Sequence, residues 1–315
     1  MRQGRVAYAG SAEALEVTDA YPSRQGQPSR IIGRGEPVVF SETPVGKYSL
    51  AGEHLRFYRE NGYLLLKGWF TEEATALMQE EFARLLANRE IRDLENVICE
   101  PGSREIRSLF DLPVLSALYG RLCRSRRVLD AVMQILGGPV YLHQSRINIK
   151  PAFWGKSFPW HSDFETWHVE DGFPRMRCLS CSIFLTENNP WNGPLFVIPG
   201  SHRHYVSCSG LTPDDHYRES LKNQYYGSPD VKILGKLMDQ GAIETCTGGP
   251  GDMLIFDGNM MHGSPDNISH LPRTNIFLAY NSCENPPVEP YCGLKRRPAF
   301  LASRECTPLV PLDDD

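Results

Sequence analysis

Apolar residues along this chain follow two periods, one in each half. From residue 52 to residue 136 they recur mainly at helical spacing. Gly52–Asn61 reads as a helix stopped by Gly62, followed by a short apolar strand over 63–67. Thr71 suits a helix N-cap, with Glu72 and Glu73 in the first turn, where the positive helix end favours carboxylates. Ala74, Leu77, Met78, Phe82, Leu85 and Leu86 then fall on one stripe. A further helix is expected over 114–136, broken near Cys123 and stopped by Gly137-Gly138-Pro139. From Val140 the texture changes to short strands over 140–150, 177–185, 195–198, 253–257 and 275–281. Turn signals such as Asn192-Gly193-Pro194 separate them. Helices first and short strands afterwards predict a mainly β protein with helices (α+β), a double-sheet jelly-roll barrel with the helices packed on one sheet. Residues 1–50 show no sustained period and read as an irregular arm over the surface, with one short strand at 37–40. The whole chain, 1–315, is expected to form one domain, with the core barrel strands in 140–282.

Composition adds exclusions. With 41% hydrophobic and 23% charged residues the chain can bury a substantial core, so a disordered protein is excluded. A formal charge of −5 gives no electrostatic case for nucleic acid. The basic cluster Arg121, Arg124, Arg126, Arg127 sits in a helical stretch and reads as a solvated face. Residues 1–10 lack the apolar core of a signal peptide, and no stretch approaches the ~18–20 apolar residues of a membrane span. Cys178 and Cys181 stand on a strand pattern that turns them to opposite faces, so the nine cysteines are expected as free thiols in a reducing, cytoplasmic setting.

The sharpest chemical signal is His161-Ser162-Asp163. In an extended segment residues i and i+2 share a side, so the imidazole and carboxylate converge. Far downstream His262 follows the strand over 253–257 and precedes Gly263-Ser264-Pro265, a loop at a strand end. Two histidines and one carboxylate on one face of a metal form the facial triad of non-haem Fe(II) oxygenases and leave three positions open. Alone, an H-x-D pair arises in many chains as a core histidine beside a capping aspartate. Arg273, at the start of the next strand, sharpens the pattern, because a guanidinium can clamp the distal carboxylate of 2-oxoglutarate in a fork that lysine cannot match. His202-Arg203-His204 has the same spacing but no carboxylate and reads as loop. His168 reads as a support of the first motif or a polar loop residue, and His54, His216 and His270 read as surface.

The strand Val-Tyr-Leu-His-Gln-Ser-Arg-Ile-Asn-Ile-Lys over 140–150 has no plainly apolar face. Leu142, Gln144, Arg146, Asn148 and Lys150 share one side, which fits either a polar cavity inside the barrel or an edge strand with a solvated face. Aromatic residues flank the metal motif on both sides, Phe158 and Trp160 before it, Phe164 and Trp167 after it, as a water-excluding site requires. The Trp167 ring can face a cationic ligand, and Ser180 and Ser182 share a strand face with Phe184.

The run from Phe158 to Gly172, FPWHSDFETWHVEDG, resembles the signature of ectoine hydroxylases, within the phytanoyl-CoA dioxygenase superfamily. The likeness continues through Ser180-Cys181-Ser182, Asn192-Gly193-Pro194-Leu195, Ile198-Pro199-Gly200-Ser201-His202, Ile255-Phe256-Asp257, Met261-His262-Gly263-Ser264, Pro272-Arg273 and Tyr280-Asn281-Ser282. It reaches the arm at Asp19-Ala20-Tyr21-Pro22-Ser23-Arg24. This resemblance implies an Fe(II)- and 2-oxoglutarate-dependent enzyme converting ectoine to 5-hydroxyectoine, a double-stranded β-helix fold and a homodimer. By position, it implies iron ligation by His161, Asp163 and His262. It places Asn148, Phe158, Ser182, Ser264 and Arg273 on 2-oxoglutarate, with Phe110, Lys150 and Phe256 beside them. Leu142, Gln144, Thr166, Trp167, Ser180 and Arg297 would line the ectoine site, with Arg296 as an alternative to Arg297. Asn189-Pro190-Trp191, Cys178 and Phe184 depart from the pattern, as does Cys292-Gly293-Leu294-Lys295-Arg296, all outside the ligand positions. Two rival functions remain: hydroxylation of another small amino-acid-like compound such as proline, and a non-catalytic barrel that binds a solute. A substrate panel separates the first, and solute binding without metal the second.

Overall fold

The computed structural model describes residues 19–100, 105–221 and 226–313; the first eighteen residues of the arm and the end of the acidic tail lie outside them. Within the arm, Ile31–Gly33 forms β1, and the strand expected at 37–40 is absent. Pro37 has no N–H to give a ladder, and the Phe40 N–H is taken by the Ile135 carbonyl. Helix α1 (Gly52–Asn61) ends at Gly62, whose φ of 79° is cheap only for glycine, and leads into β2 (Tyr63–Leu66). The Thr71 hydroxyl accepts from the Ala74 N–H and starts α2 (Glu72–Ala87). Two short strands that the alternation did not reveal follow, β3 (Val97–Cys99) and β4 (Ile106–Phe110). The helix expected over 114–136 is broken near Cys123 and once more at Ser116, giving α3 (Leu112–Leu115), α4 (Ala117–Leu122) and α5 (Arg126–Leu136). Ser116 and Ser125 make the breaks by bonding the backbone N–H groups two or three residues ahead.

The second half supplies β5 (Val140–Lys150), β6 (Phe158–His161), α6 (Asp163–Thr166), β7 (Cys178–Phe184), β8 (Leu195–Val197) and β9 (His204–Val206). Helices α7 (Tyr217–Ser220) and α8 (Val231–Gln240) precede β10 (Glu244–Cys246), β11 (Met253–Asp257), β12 (His262–Ser264) and β13 (Arg273–Ser282). All pairings between these strands are antiparallel. One sheet runs β2-β11-β7-β13-β5-β4-β3, the other β10-β8-β12-β6, and β1 pairs with β9. The two larger sheets form the jelly roll.

Alternation along the strands divides the interior. Met253 and Ile255 of β11 turn to the helices, where Leu55, Tyr58, Met78, Leu129, Val132 and Ile135 close the main core. Each such side chain contributes about 1.5–3 kcal/mol by leaving water. Leu254 and Phe256 turn the other way, onto Leu195 and Val197 of the smaller sheet. Cys181 joins the helical core and Cys178 a cluster with Trp167 and Phe173 across the sheet, and all nine cysteines are free. Strand β5 lies between β13 and β4, so the edge-strand alternative falls and its polar face points between the sheets. Its register passes from Ala279↔Gln144 to Tyr280↔Leu142, leaving His143 as an extra residue at which the faces exchange. Among the described residues no helix is long and apolar enough to cross a membrane.

Candidate active site

Three elements bring the candidate ligands together. His161 ends β6 and lies opposite His262 in register, the first residue of β12 rather than part of a loop. Ser162 stays extended (φ −113°, ψ 131°) and caps α6, so Asp163 opens a helix but still turns toward His161. A buried network holds this corner: Ser162 Oγ donates to Asn259 Oδ1 (3.1 Å), and Asn259 Nδ2 donates to the carbonyls of His202 and His204 (3.0 Å each).

The ligand atoms of His161, Asp163 and His262 all lie within 4.8 Å of one another. His161 Nε2 is 3.6 Å and His262 Nε2 3.8 Å from Asp163 Oδ1. Each Nδ1 meets a backbone carbonyl, Pro159 O at 2.8 Å and Met260 O at 2.9 Å. A carbonyl can only accept, so Nδ1 carries the hydrogen and Nε2 offers its lone pair inward. Burial and the neighbouring His161 push the His262 pKa down to about 4, which keeps the ring neutral. Withdrawal from solvent would raise the Asp163 carboxyl, but His262, His161 and Arg146 outweigh it and hold it well below the usual carboxylate range. Ser180 Oγ donates to Asp163 Oδ2 at 3.2 Å and orients it. Two inward-facing imidazole Nε2 atoms and one carboxylate on one side fit Fe(II).

The triad stands where two chambers meet, with His161, Arg146, Phe158 and Leu221 common to both. The first contains Asn148, Lys150, Ser264, Arg273 and Phe110 from the expected set, together with Arg107. It is strongly cationic. Arg273 is 1% exposed and has no carboxylate partner among the described residues; Nε (3.1 Å) and Nη2 (2.9 Å) reach Gly193 O, and Nη1 reaches Asn148 Oδ1 (2.8 Å). Burial, then Arg146 and Arg107, pull its pKa down to about 9. The same influences, burial first and then Arg273 and Arg107, bring Lys150 down to about 6, its Nζ donating to the carbonyls of Lys156 and Pro265. Arg107 is balanced by buried Glu100 at 3.1 Å. The surplus of buried positive charge calls for an anionic ligand.

The second chamber contains Gln144, Thr166, Trp167 and Arg297 around Asp163 and His161. Gln144 Nε2 donates to Leu301 O (2.7 Å), and Arg297 grips Asp171 through Nε (2.8 Å) and Nη2 (2.6 Å). Arg296 is exposed and pairs with Glu289, so Arg297 is the arginine at this wall. Other expected residues stand outside both linings. Ser182 bonds Asn275 (3.3 Å), and Phe256 packs beside His262 with ring centroids 5.1 Å apart. Leu142, beyond the β5 bulge, packs on the helical core and borders a separate hollow with Phe300.

Several residues here were not legible as site residues. Arg107 lies on β4, which the alternation did not reveal, and Arg146 was one polar position of the 140–150 strand with no role assigned. His216 is buried in the second chamber's wall and not on the surface, which corrects its expected place. The arm is also more than a surface strap. Arg24 is buried, forks Glu165 with Nε (3.0 Å) and Nη2 (2.5 Å), and reaches Glu170 with Nη1 (2.5 Å). It thereby pins the α6 turn that begins with Asp163. His168 supports this region, with Nδ1 on Phe173 O (2.7 Å) and Nε2 on Asp19 (2.9 Å). His202 is buried against Arg59 O and does not face the triad.

Residues 58–275 match the model of the phytanoyl-CoA dioxygenase (PhyH) family. A Bordetella bronchiseptica protein named ectoine dioxygenase is 50% identical over 94% of this chain and 96% of its own length. One of that name from Sphingopyxis alaskensis is 48% identical over 91% of this chain and 94% of its own. The crystal structure of EctD from S. alaskensis with 2-oxoglutarate and 5-hydroxyectoine superimposes with a TM-score of 0.84, 42% identity, and coverage of 94% of this chain and 98% of that one. Its form with bound Fe gives the same TM-score at 41% identity, with 94% and 98% covered.

Proposed function

Because this chain belongs to the phytanoyl-CoA dioxygenase family, we propose that it is an Fe(II)- and 2-oxoglutarate-dependent oxygenase that hydroxylates ectoine to 5-hydroxyectoine and releases succinate and CO₂. The observation that carries this reading is the His161–Asp163–His262 triad at the junction of two chambers, one of them lined by uncompensated cations. His161, Asp163 and His262 would hold the iron. Fe(II) bound there supplies the activation of O₂ that is driven by oxidative decarboxylation of the 2-oxoacid.

The chain's own residues supply binding, orientation and dryness. Arg273 is the fork for the distal carboxylate of 2-oxoglutarate, steadied by Asn148 and Gly193, with Lys150, Ser264, Phe158 and Phe110 around it. Ser182 and Phe256 support this wall from behind, and Ser180 keeps Asp163 turned inward. Gln144, Thr166, Trp167 and Arg297 form the ectoine chamber, where a guanidinium suits the carboxylate and an aromatic face the delocalised cation. Leu142 would act only through the neighbouring strand surface.

The test is enzyme reconstituted anaerobically with Fe(II), then given 2-oxoglutarate, ectoine and O₂. Hydroxyectoine formed in step with succinate is expected; absence of both sinks the substrate assignment. We further propose that the chain works as a single-domain subunit of a homodimer in the cytoplasm, which its free cysteines suit.

A further inference from the structure

The wall between the second chamber and solvent holds a polar ring, His216, that makes no hydrogen bond among the described residues. His216 lies on the segment 212–221, which ends in Leu221, a residue lining both chambers. It is 6% exposed and packs edge-on against Tyr226, with ring centroids 5.1 Å apart. Together with Glu170 and Arg297 it also borders an outer hollow, so these three side chains form the partition between chamber and exterior.

Its two neighbours are committed elsewhere. Glu170 receives Arg24, and Arg297 is spent on Asp171. The His216 ring makes no hydrogen bond among the described residues; Glu170 Oε1 stands 4.0 Å from Nε2, beyond hydrogen-bond reach. Bordering both spaces, the ring can meet a ligand or water there. Burial lowers its pKa, with Arg24 and Arg297 adding to the effect and Glu170 and Glu165 opposing it, so the ring is neutral and offers one N–H and one lone pair.

We propose that His216 is a specificity-determining residue of the substrate chamber, donating an N–H to the carboxylate of a small zwitterionic substrate beside Arg297. This rests on the reading that the second chamber takes the substrate. It deepens that reading by assigning the substrate's polar edge to the partition and leaving its ring carbons toward the triad.

Three variants test it: His216→Ala, His216→Phe and His216→Gln, each loaded with Fe(II) and 2-oxoglutarate and assayed with ectoine and with proline. Loss of one hydrogen bond to a charged group predicts a KM for the substrate raised about tenfold or more in the alanine and phenylalanine variants. The KM for 2-oxoglutarate should stay within about twofold, and His216→Gln, which keeps a donor, should recover most of the loss. Should the wild type turn over proline instead of ectoine, the function assigned above fails, while His216 is still judged on the proline KM. An unchanged substrate KM in His216→Ala overturns the proposal. So does an equal rise in the KM for 2-oxoglutarate, the mark of general damage to the wall, or the absence of binding by either compound in the wild type.

Discussion

Replacing Arg273 by methionine should separate binding from stability. A guanidinium has five N–H donors, and three are used within the chain: one from Nε and one from each terminal nitrogen. The two that remain sit one on each terminal nitrogen, the fork that fits a carboxylate. Each charge-assisted bond is worth about 1.5–3 kcal/mol, so removing both weakens 2-oxoglutarate binding by about 3–6 kcal/mol, or roughly 10²–10⁴-fold. Folding should respond differently. Arg273 is buried beside Arg146, Arg107 and Lys150 with no anion of its own, so an apolar chain of similar length removes an uncompensated charge. The ligand-free variant should melt at the wild-type temperature or above it, yet lose the stabilisation that 2-oxoglutarate gives the wild type, about 2.7 kcal/mol at a hundredfold excess over Kd. Arg273→Lys should fall between, keeping the charge but not the fork. Calorimetric titration and thermal melts with and without 2-oxoglutarate decide the matter. A folded Arg273→Met protein whose Kd for 2-oxoglutarate moved less than about threefold would refute the clamp.

Three further outcomes follow from the same geometry. Asp163→Ala and His262→Ala should leave the fold standing but lose iron, read as metal content after gel filtration; retention of one iron per chain in either variant argues against the triad. Lys150 is largely neutral above its pKa of about 6, and a dianion placed beside it favours the charged form, so 2-oxoglutarate binding at pH 7.5 should take up close to one proton. Titrations in buffers of different ionisation heat measure this, and wild-type uptake no greater than that of Lys150→Met counts against it. Because the folded chain holds fewer protons at this site than the unfolded one between pH 6 and 10.5, the ligand-free wild type should gain stability relative to Lys150→Met as pH rises through that window, and lose it as pH falls. Gly172 has φ 82°, and an added Cβ would run into the Val288 carbonyl, so Gly172→Ala should cost about 2 kcal/mol or more and lower Tm by several degrees. Gly249→Ala, with open space around its Cβ position, is the control that should not.

Local physics was readable wherever one segment decides its own structure. Thr71 caps α2, Gly62 stops α1, and the strand over 140–150 has the length expected, because caps, glycines and alternation act within a few residues. The facial triad was also legible, since its first two members stand two residues apart beside many aromatics, and a distant histidine and an arginine on the next strand complete the pattern. What stayed hidden depends on partners far along the chain. Whether 31–33 or 37–40 becomes a strand is settled by β9, some 170 residues away, with the register Ile31↔Val206. Ser116 looks like any helix serine until its hydroxyl caps α4.

The same limit explains the electrostatics. A chain of net charge −5 contains a pocket of basic groups because Arg107, Arg146, Lys150 and Arg273 come from three neighbouring strands, β4, β5 and β13, whose inward faces alternate into one space. Glu100 answers Arg107, but other buried acids are placed elsewhere: Glu165 and Glu170 are consumed by Arg24, and Asp171 by Arg297 and His143. Each of those pairs is buried, where a lone charge would be costly, so the arm and the tail are bound to the site by the same neutralisation that leaves the first chamber short of anions. The cationic excess is therefore a consequence of where the carboxylates were committed, and only an anionic co-substrate completes the balance.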